Sequence, residues 1–185
     1  TLLRVPDGWR GVNTDVLGFL APLEEVHEDD LAASRVLVLG AGGAARGIVY
    51  ALLSRGARIS LWNRTPSRAE RLASELSRFA THGRVEVAVA DAGSADSLPV
   101  PDIVVNTTSV GMHGNGDPAP WYRLRGHEVV YDIVYTPPDT PLIKRALEAG
   151  CRVVTGDRMF AAQAAAQYEL YRVLATAARP GAWRA

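Results

Sequence analysis

The stretch Arg35-Val36-Leu37-Val38-Leu39-Gly40-Ala41-Gly42-Gly43-Ala44-Ala45 decides the fold of this 185-residue chain. Arg35–Leu39 is a short apolar run closed by glycines, which predicts a buried strand. From Ala44 to Ser54 the residues Ala45, Ile48, Val49, Leu52 and Leu53 fall on one helical face, which predicts a helix with one side buried. Between them Gly40 to Ala45 fits the pattern G-x-G-x-x-A. The first glycine permits a tight turn, the second lets the backbone approach a pyrophosphate, and the small Ala45 lets the helix pack on the strand. The helix N-terminus then offers free N–H groups and partial positive charge to phosphates. Glycine turns alone also fit a plain strand–turn–helix. The flanking strand and helix favour a dinucleotide site formed by Gly40, Ala41, Gly42, Gly43 and Ala44.

The same alternation continues outward. Arg58–Trp62 is a second strand, and Thr65 caps a helix with Pro66 at its first position, where proline's fixed φ and missing N–H do no harm. Ala69, Leu72, Ala73, Leu76 and Phe79 form that helix's stripe. Val85–Val89, Ile103–Asn106, Val129–Val134 and Arg152–Thr155 are further strands. A helix at Pro141–Glu148, ended by Gly150, precedes the last of them. A long Ala-rich helix runs from Met159 to Ala178. Ahead of the glycine loop, residues 1–12 read as a hairpin turning at Pro6–Gly8, and Val16–Val26 as a helix capped by Thr14 or Asp15. Continuous apolar strands alternating with helices predict an α/β fold, a Rossmann-type doubly wound parallel sheet covered on both faces.

Composition agrees with a folded domain and excludes several classes. The chain is 48% apolar and 22% charged, which rules out wholesale disorder. Twenty basic residues balance twenty acidic ones, so neither a nucleic-acid nor a membrane surface is expected. No apolar run approaches the ~18 residues of a membrane span, and nothing at the front resembles a signal peptide. Cys151 has no partner for a disulfide, and His27, His82, His113 and His127 are scattered, so no metal site is expected. A cytoplasmic protein is the expectation. Of the basic residues only Lys144 is a lysine. It stands in Pro141-Leu142-Ile143-Lys144-Arg145, where a Lys-Arg pair reads as a solvated helix face.

The end of the second strand bears on which dinucleotide binds. An acidic residue about twenty positions after the first glycine holds the ribose 2′-hydroxyl of NAD. Here the stretch is Leu61-Trp62-Asn63-Arg64-Thr65, followed by Arg68, with no acid before Glu70. A guanidinium forks onto a 2′-phosphate that a carboxylate would repel. Asn63, Arg64, Thr65 and Arg68 therefore favour NADP; as an alternative, the two arginines are ordinary solvated surface residues.

Six motifs together resemble the shikimate dehydrogenases, NADP-dependent enzymes that interconvert 3-dehydroshikimate and shikimate. They are GxNTDxxGF at Gly11–Phe19, GAGGAAR at Gly40–Arg46, and NRTxxRAxxLA at Asn63–Ala73. The others are VNxTSxGM at Val105–Met112, YDxxYxPxxTxL at Tyr131–Leu142 and GxxM…Q at Gly156–Gln163. The glycine loop is shared by many enzymes; the first and fifth motifs are far more specific. By spacing alone Asp15 reads as a helix cap. The resemblance implies that Asp15 is the catalytic aspartate, touching a substrate hydroxyl and a catalytic lysine, and that Tyr135 and Gln163 bind substrate hydroxyls. It also implies that Asn106, Thr107 and Ser109 line the cofactor and that Ile133, Gly156 and Met159 flank the nicotinamide. Asp132 can be structural only.

The family's substrate domain precedes GxNTD, and nearly all of it is absent from this sequence. The resemblance thus divides the chain into 1–14, the end of a substrate domain; 15–156, the NADP-binding domain; and 157–185, a C-terminal helix returning to the substrate domain. Remnants of a second domain then stand at both ends. Tyr168 and Tyr171 replace the family's usual Phe and Trp there. With no lysine beside Asp15, the chain alone is expected to bind cofactor without turning over shikimate. It is also expected to bare apolar surface on residues 157–185, leaving that helix mobile or paired with another copy in a homodimer. Alternatives are a quinate/shikimate or aminoshikimate dehydrogenase, or a non-catalytic dinucleotide-binding module.

Overall fold

The computed structural model describes residues 1–5, 7–80, 84–87, 99–114 and 116–177. Strands β1 (Leu2–Val5) and β2 (Gly8–Gly11) form an antiparallel hairpin. Helix α1 (Thr14–Val26) and a single 3-10 turn (Leu31–Ala33) lead into β3 (Arg35–Leu39). Then follow α2 (Gly43–Ser54), β4 (Arg58–Trp62), α3 (Pro66–Ser77), β5 (Arg84–Val87) and β6 (Ile103–Asn106). The chain continues through β7 (Val129–Asp132), α4 (Pro141–Glu148), β8 (Arg152–Val154) and α5 (Gly156–Ala177). Strands β3 to β8 make one parallel sheet in the order β5-β4-β3-β6-β7-β8, the doubly wound arrangement expected from the sequence.

Side chains alternate across this sheet with period two. Val36, Val38, Ile103 and Val105 face a core shared with α1, α2 and α3, which bring Phe19, Leu23, Ile48, Leu52 and Leu72. Leu37, Leu39, Val104 and Val130 face a second core, closed by Leu142 and Ala146 of α4 and by Ala119, Tyr122 and Leu124 from the connection after β6. Both faces are dry, which is why these strands read as unbroken apolar runs. No helix among the described residues is long and apolar enough to cross a membrane.

Local chemistry moves several expected boundaries. The cap of α1 is Asn13, whose Oδ1 accepts the Asp15 N–H at 3.0 Å; Thr14 and Asp15, the expected caps, are already helical. Thr65 holds the cap position of α3 without a side-chain bond. Strand β7 stops at Asp132 rather than Val134, because the Asp132 carboxylate accepts the Val134 N–H at 3.0 Å and turns the chain off the ladder. Strand β8 ends at Val154, one residue short of Thr155, and α5 begins at Gly156 rather than Met159. Phe79 lies beyond the end of α3; 42% exposed, it meets Tyr50 edge-on instead of joining the buried stripe. Pro6 of the hairpin turn, Ala88 and Val89 at the end of the expected fifth strand, and the expected helix end at Ala178 lie outside the described residues.

His27, at the C-terminus of α1, is a buried titratable group that sequence reading left unexplained. Its Nε2 lies 2.7 Å from Ser34 Oγ, whose hydroxyl donates to the Asp30 carbonyl, so Nε2 is the donor of a neutral ring. Nδ1 is buried with no hydrogen-bond partner among the described residues. Burial lowers the His27 pKa below 6.5; Arg152 adds to this, while Asp29 and Asp102 oppose it. The unfolded histidine therefore takes up a proton at a pH where the folded one does not, and stability falls as pH falls through about 6.5. The slope is bounded by ~1.4 kcal/mol per pH unit and ends where the folded ring itself takes up the proton. Urea unfolding from pH 8 to 5.5 should show this slope and lose it in His27→Gln; an unchanged slope in the variant would assign it to other groups.

Candidate functional site

The strand order reverses between β3 and β6, and the loops after these two strands part there to leave a crevice. Gly40 has φ +108°, and a Cβ on it would stand 2.6 Å from Thr107 Oγ1 and 2.9 Å from Thr108 Cγ2. Only glycine suits that turn. A Cβ on Gly42 or Gly43 would meet nothing within 4 Å, so the loop leaves open space where the N-terminus of α2 begins. The crevice holds about 730 Å³ and is lined by Gly40, Ala41 and Gly42, by Asn63, Arg64 and Arg68, and by Thr107–Val110. Trp62, Asp117, Pro118, Pro120 and Trp121 complete it. Arg64 and Arg68 are exposed and make no ion pair among the described residues. Asn63 Nδ2 donates to the Thr65 carbonyl at 2.8 Å and fixes the turn that carries them.

Helix N–H groups, open glycine backbone and two unpaired guanidiniums suit a dinucleotide bearing a third phosphate. Among the described residues no group of three His, Cys, Asp or Glu could hold a metal ion.

Not every expected cofactor contact lines this crevice. Gly43 and Ala44 lie in the first turn of α2, and Thr65 caps α3. Asn106 is fully buried beneath the crevice. Its Nδ2 donates to Asp132 Oδ1 (2.9 Å) and to the Val110 carbonyl (3.2 Å), and its Oδ1 accepts the Thr108 N–H and hydroxyl. Asp132, also fully buried, accepts from Asn106, Val134 N–H and the Thr140 hydroxyl. Burial pushes the Asp132 carboxyl above the ordinary aspartate range, and its three donors pull against that shift. Asn106 and Asp132 therefore shape the crevice from behind, tying the Thr107–Val110 wall to the turn that leads to Tyr135.

The expected substrate residues Asp15 and Gln163 lie on α1 and α5, and Tyr135 lies in the turn after β7. Asp15 and Gln163, 148 positions apart, are brought together: Gln163 Nε2 donates to Asp15 Oδ1 at 2.6 Å. The reason is Gly18 in α1, where a Cβ would stand 2.7 Å from Gln163 Cβ and 3.0 Å from its Cα and N. Gly156 serves a parallel purpose at the start of α5: its Cβ would meet the Ile133 carbonyl and Val134 backbone at 2.5 Å. Ile133 and Met159 pack with Ala41 and Val16 against the core shared with α1, α2 and α3. Asn13 and Val16 share a small hollow with Gly43 and Gly47, so the start of α1 sits beside the glycine loop. Tyr135 is 53% exposed and stacks on Phe160, one turn before Gln163, with centroids 5.5 Å apart.

Lys144 stands apart from all of this. It lies on α4, which packs on the opposite face of the sheet, and pairs at the surface with Asp139 at 3.0 Å. Its neighbour corrects the reading of both as a solvated face: the Arg145 guanidinium is turned into the fold and bonded to Asp117, Ala119 and Tyr122. Arg145 and the wall residues Pro118, Pro120 and Trp121 were not singled out as site residues from sequence. Nothing in their local pattern separates them from an ordinary loop. Gly18 did leave a signal, a glycine inside a helix one turn after Asp15.

A family model described as Shikimate / quinate 5-dehydrogenase matches residues 23–109. The chain is 40% identical over 167 residues to the shikimate dehydrogenase (NADP(+)) of Moorella thermoacetica, covering 88% of this chain and 56% of that protein. Among solved structures it is similar to quinate dehydrogenase from Corynebacterium glutamicum in complex with NAD (TM-score 0.79, 31% identity, 92% of this chain and 61% of that one). It is also similar to shikimate 5-dehydrogenase from Thermus thermophilus in complex with NADP(H) and shikimate (TM-score 0.72, 32% identity, 92% and 60%). The chain thus spans just under three-fifths of the length of the Moorella relative.

Proposed function

We propose that this chain belongs to the shikimate / quinate 5-dehydrogenase family and is the dinucleotide-binding part of a shikimate dehydrogenase that reversibly reduces 3-dehydroshikimate with NADPH. The observation that carries the reading is the Asp15–Gln163 pair at 2.6 Å beside the glycine loop. A carboxylate capped by one amide donor keeps its other oxygen for a substrate hydroxyl.

In this reading the N–H groups at the start of α2 hold the pyrophosphate, and Arg64 and Arg68 hold the 2′-phosphate. NADP, when bound, supplies the hydride chemistry. Ile133, Gly156 and Met159 keep the nicotinamide end dry, and Tyr135 and Gln163 orient substrate hydroxyls. Hydride goes to the carbonyl carbon and a proton to its oxygen; Asp15, with a lysine partner, manages that proton. Lys144 cannot be the partner, since the sheet separates it from Asp15. Residues 1–14 and 157–185 belong, in this proposal, to a second, substrate-binding domain, and the exposed Phe160, Tyr168, Tyr171 and Val173 of α5 form apolar surface for it or for a second copy. The setting is the cytoplasm.

The 185 residues alone are expected to bind NADPH without reducing 3-dehydroshikimate. Robust activity abolished by Lys144→Ala would sink that expectation and the lysine argument with it.

The second reading is a quinate dehydrogenase using NAD, as in the Corynebacterium relative's complex. The absence of an acid between Trp62 and Arg68 argues against it. NADPH should bind at least about tenfold tighter than NADH, a difference of ~1.4 kcal/mol. Arg64→Ala should remove most of that preference. Calorimetric titration of both cofactors decides it, and equal affinities would favour the NAD reading.

A further inference from the structure

Arg145 makes four hydrogen bonds to one short segment of the connection between β6 and β7. Its Nε and Nη2 fork onto Asp117 at 2.7 and 3.1 Å, Nη2 also reaches the Ala119 carbonyl at 3.0 Å, and Nη1 the Tyr122 carbonyl at 2.6 Å. A guanidinium suits this because its donors form a rigid planar fork. The segment so gripped carries Pro120 and Trp121, which form the crevice wall nearest Trp62. The two indoles lie 5.2 Å apart and meet at 51°. Trp62 ends β4 and stands two residues before Arg64. A dinucleotide held by Arg64 at its 2′-phosphate would place its adenosine half in the crevice that this aromatic wall also lines.

Trp121 is held by packing on the second core and on Trp62 and Tyr122, not by a polar contact of its own. Its Nε1 is buried without a hydrogen-bond partner among the described residues. An unpaired buried N–H is destabilised relative to one that water can reach. If the segment were released, Trp121 would turn outward to hydrate that group. Arg145 opposes this motion by holding the Ala119 and Tyr122 carbonyls on either side of Trp121.

We propose that Arg145 is a positioning residue for the cofactor: by clamping Asp117 through Tyr122 it holds Trp121 as the wall on which the adenine packs. This rests on the NADP reading, and the test separates the two. The probe is adenosine 2′,5′-bisphosphate, which carries the base and the 2′-phosphate but no nicotinamide. It is titrated by calorimetry into the full 185-residue chain and its variants, well below their melting temperatures. Arg145→Ala and Trp121→Ala should each weaken binding about tenfold, and the double variant hardly further, because the two act through one contact. Tryptophan emission of Arg145→Ala should shift to the red as Trp121 meets water. Arg145→Lys, which can satisfy only part of the fork, should fall between; it carries the same comparison with Trp121→Ala if Arg145→Ala does not fold.

A merely structural Arg145 would lower the melting temperature but leave affinity and emission unmoved, and that result would overturn the proposal. Additive losses in the double variant would overturn it too. Failure of the unaltered chain to bind the probe would instead overturn the NADP reading on which it rests.

Discussion

Asp15→Asn is expected to lower turnover of 3-dehydroshikimate by two to four orders of magnitude, roughly the contribution of a positioned proton-transfer group, while leaving NADPH affinity within about twofold. The substitution is nearly isosteric. Asparagine Oδ1 can still accept the Gln163 amide that now lies 2.6 Å from Asp15 Oδ1, so the α1–α5 geometry should survive. What disappears is the negative charge that, in the proposed mechanism, orients and polarises a lysine partner. NADPH should not notice, because Asp15 is not among the residues that line the phosphate crevice. The assay is steady-state turnover with the proposed substrate domain supplied, alongside a cofactor titration of the same protein. Near-normal turnover would return Asp15 to a purely local role at the start of α1.

Gly18→Ala should damage turnover far more than stability. Alanine is the better helix former by about 1 kcal/mol, so propensity alone predicts a gain. Against it stands a Cβ placed 2.7 Å from Gln163 Cβ and 3.0 Å from the Gln163 backbone. A backbone cannot move aside as a side-chain tip can, and overpacking of this kind costs about 1–3 kcal/mol. The two terms partly cancel in the melting temperature, which should fall by only a few degrees. They do not cancel at the site, because α1 and α5 must part to admit the methyl, and Asp15 and Gln163 part with them. A displacement near 1 Å in a catalytic constellation costs on the order of a hundredfold in rate. Thermal melts and turnover, both measured with the proposed substrate domain supplied, separate the outcomes. Wild-type turnover in Gly18→Ala would mean that the close helix approach has no part in the chemistry.

The parallel sheet, its two-sided burial and the glycine loop were legible because each is written in a few adjacent residues. Arg35–Leu39 alternates between two cores, Gly40 must take a positive φ, and Pro66 opens a helix; each follows from local sterics and period. The ends of elements were less legible where a side chain bonds the backbone nearby. The stop of β7 depends on the Asp132 carboxylate capturing the Val134 N–H, and the cap of α1 on Asn13 rather than its two polar neighbours. In both places several residues could make the bond, and only the folded path selects one.

The amino-acid sequence by itself determined the architecture, the glycine turn after β3 and the positive character of the pocket beside β4, since strand burial, turn geometry and charge are properties of neighbours in the chain. Tertiary structure decided what meets across it. It brought Gln163 to Asp15, sank Asn106 beneath the crevice instead of leaving it on the wall, and put Lys144 on the far face of the sheet. It also split two adjacent basic residues, sending Lys144 to solvent and Arg145 into a clamp on Asp117. The physical reason is range. Hydrogen-bond and packing partners separated by tens of residues are chosen by how the helices settle on the sheet, and no local pattern carries that choice.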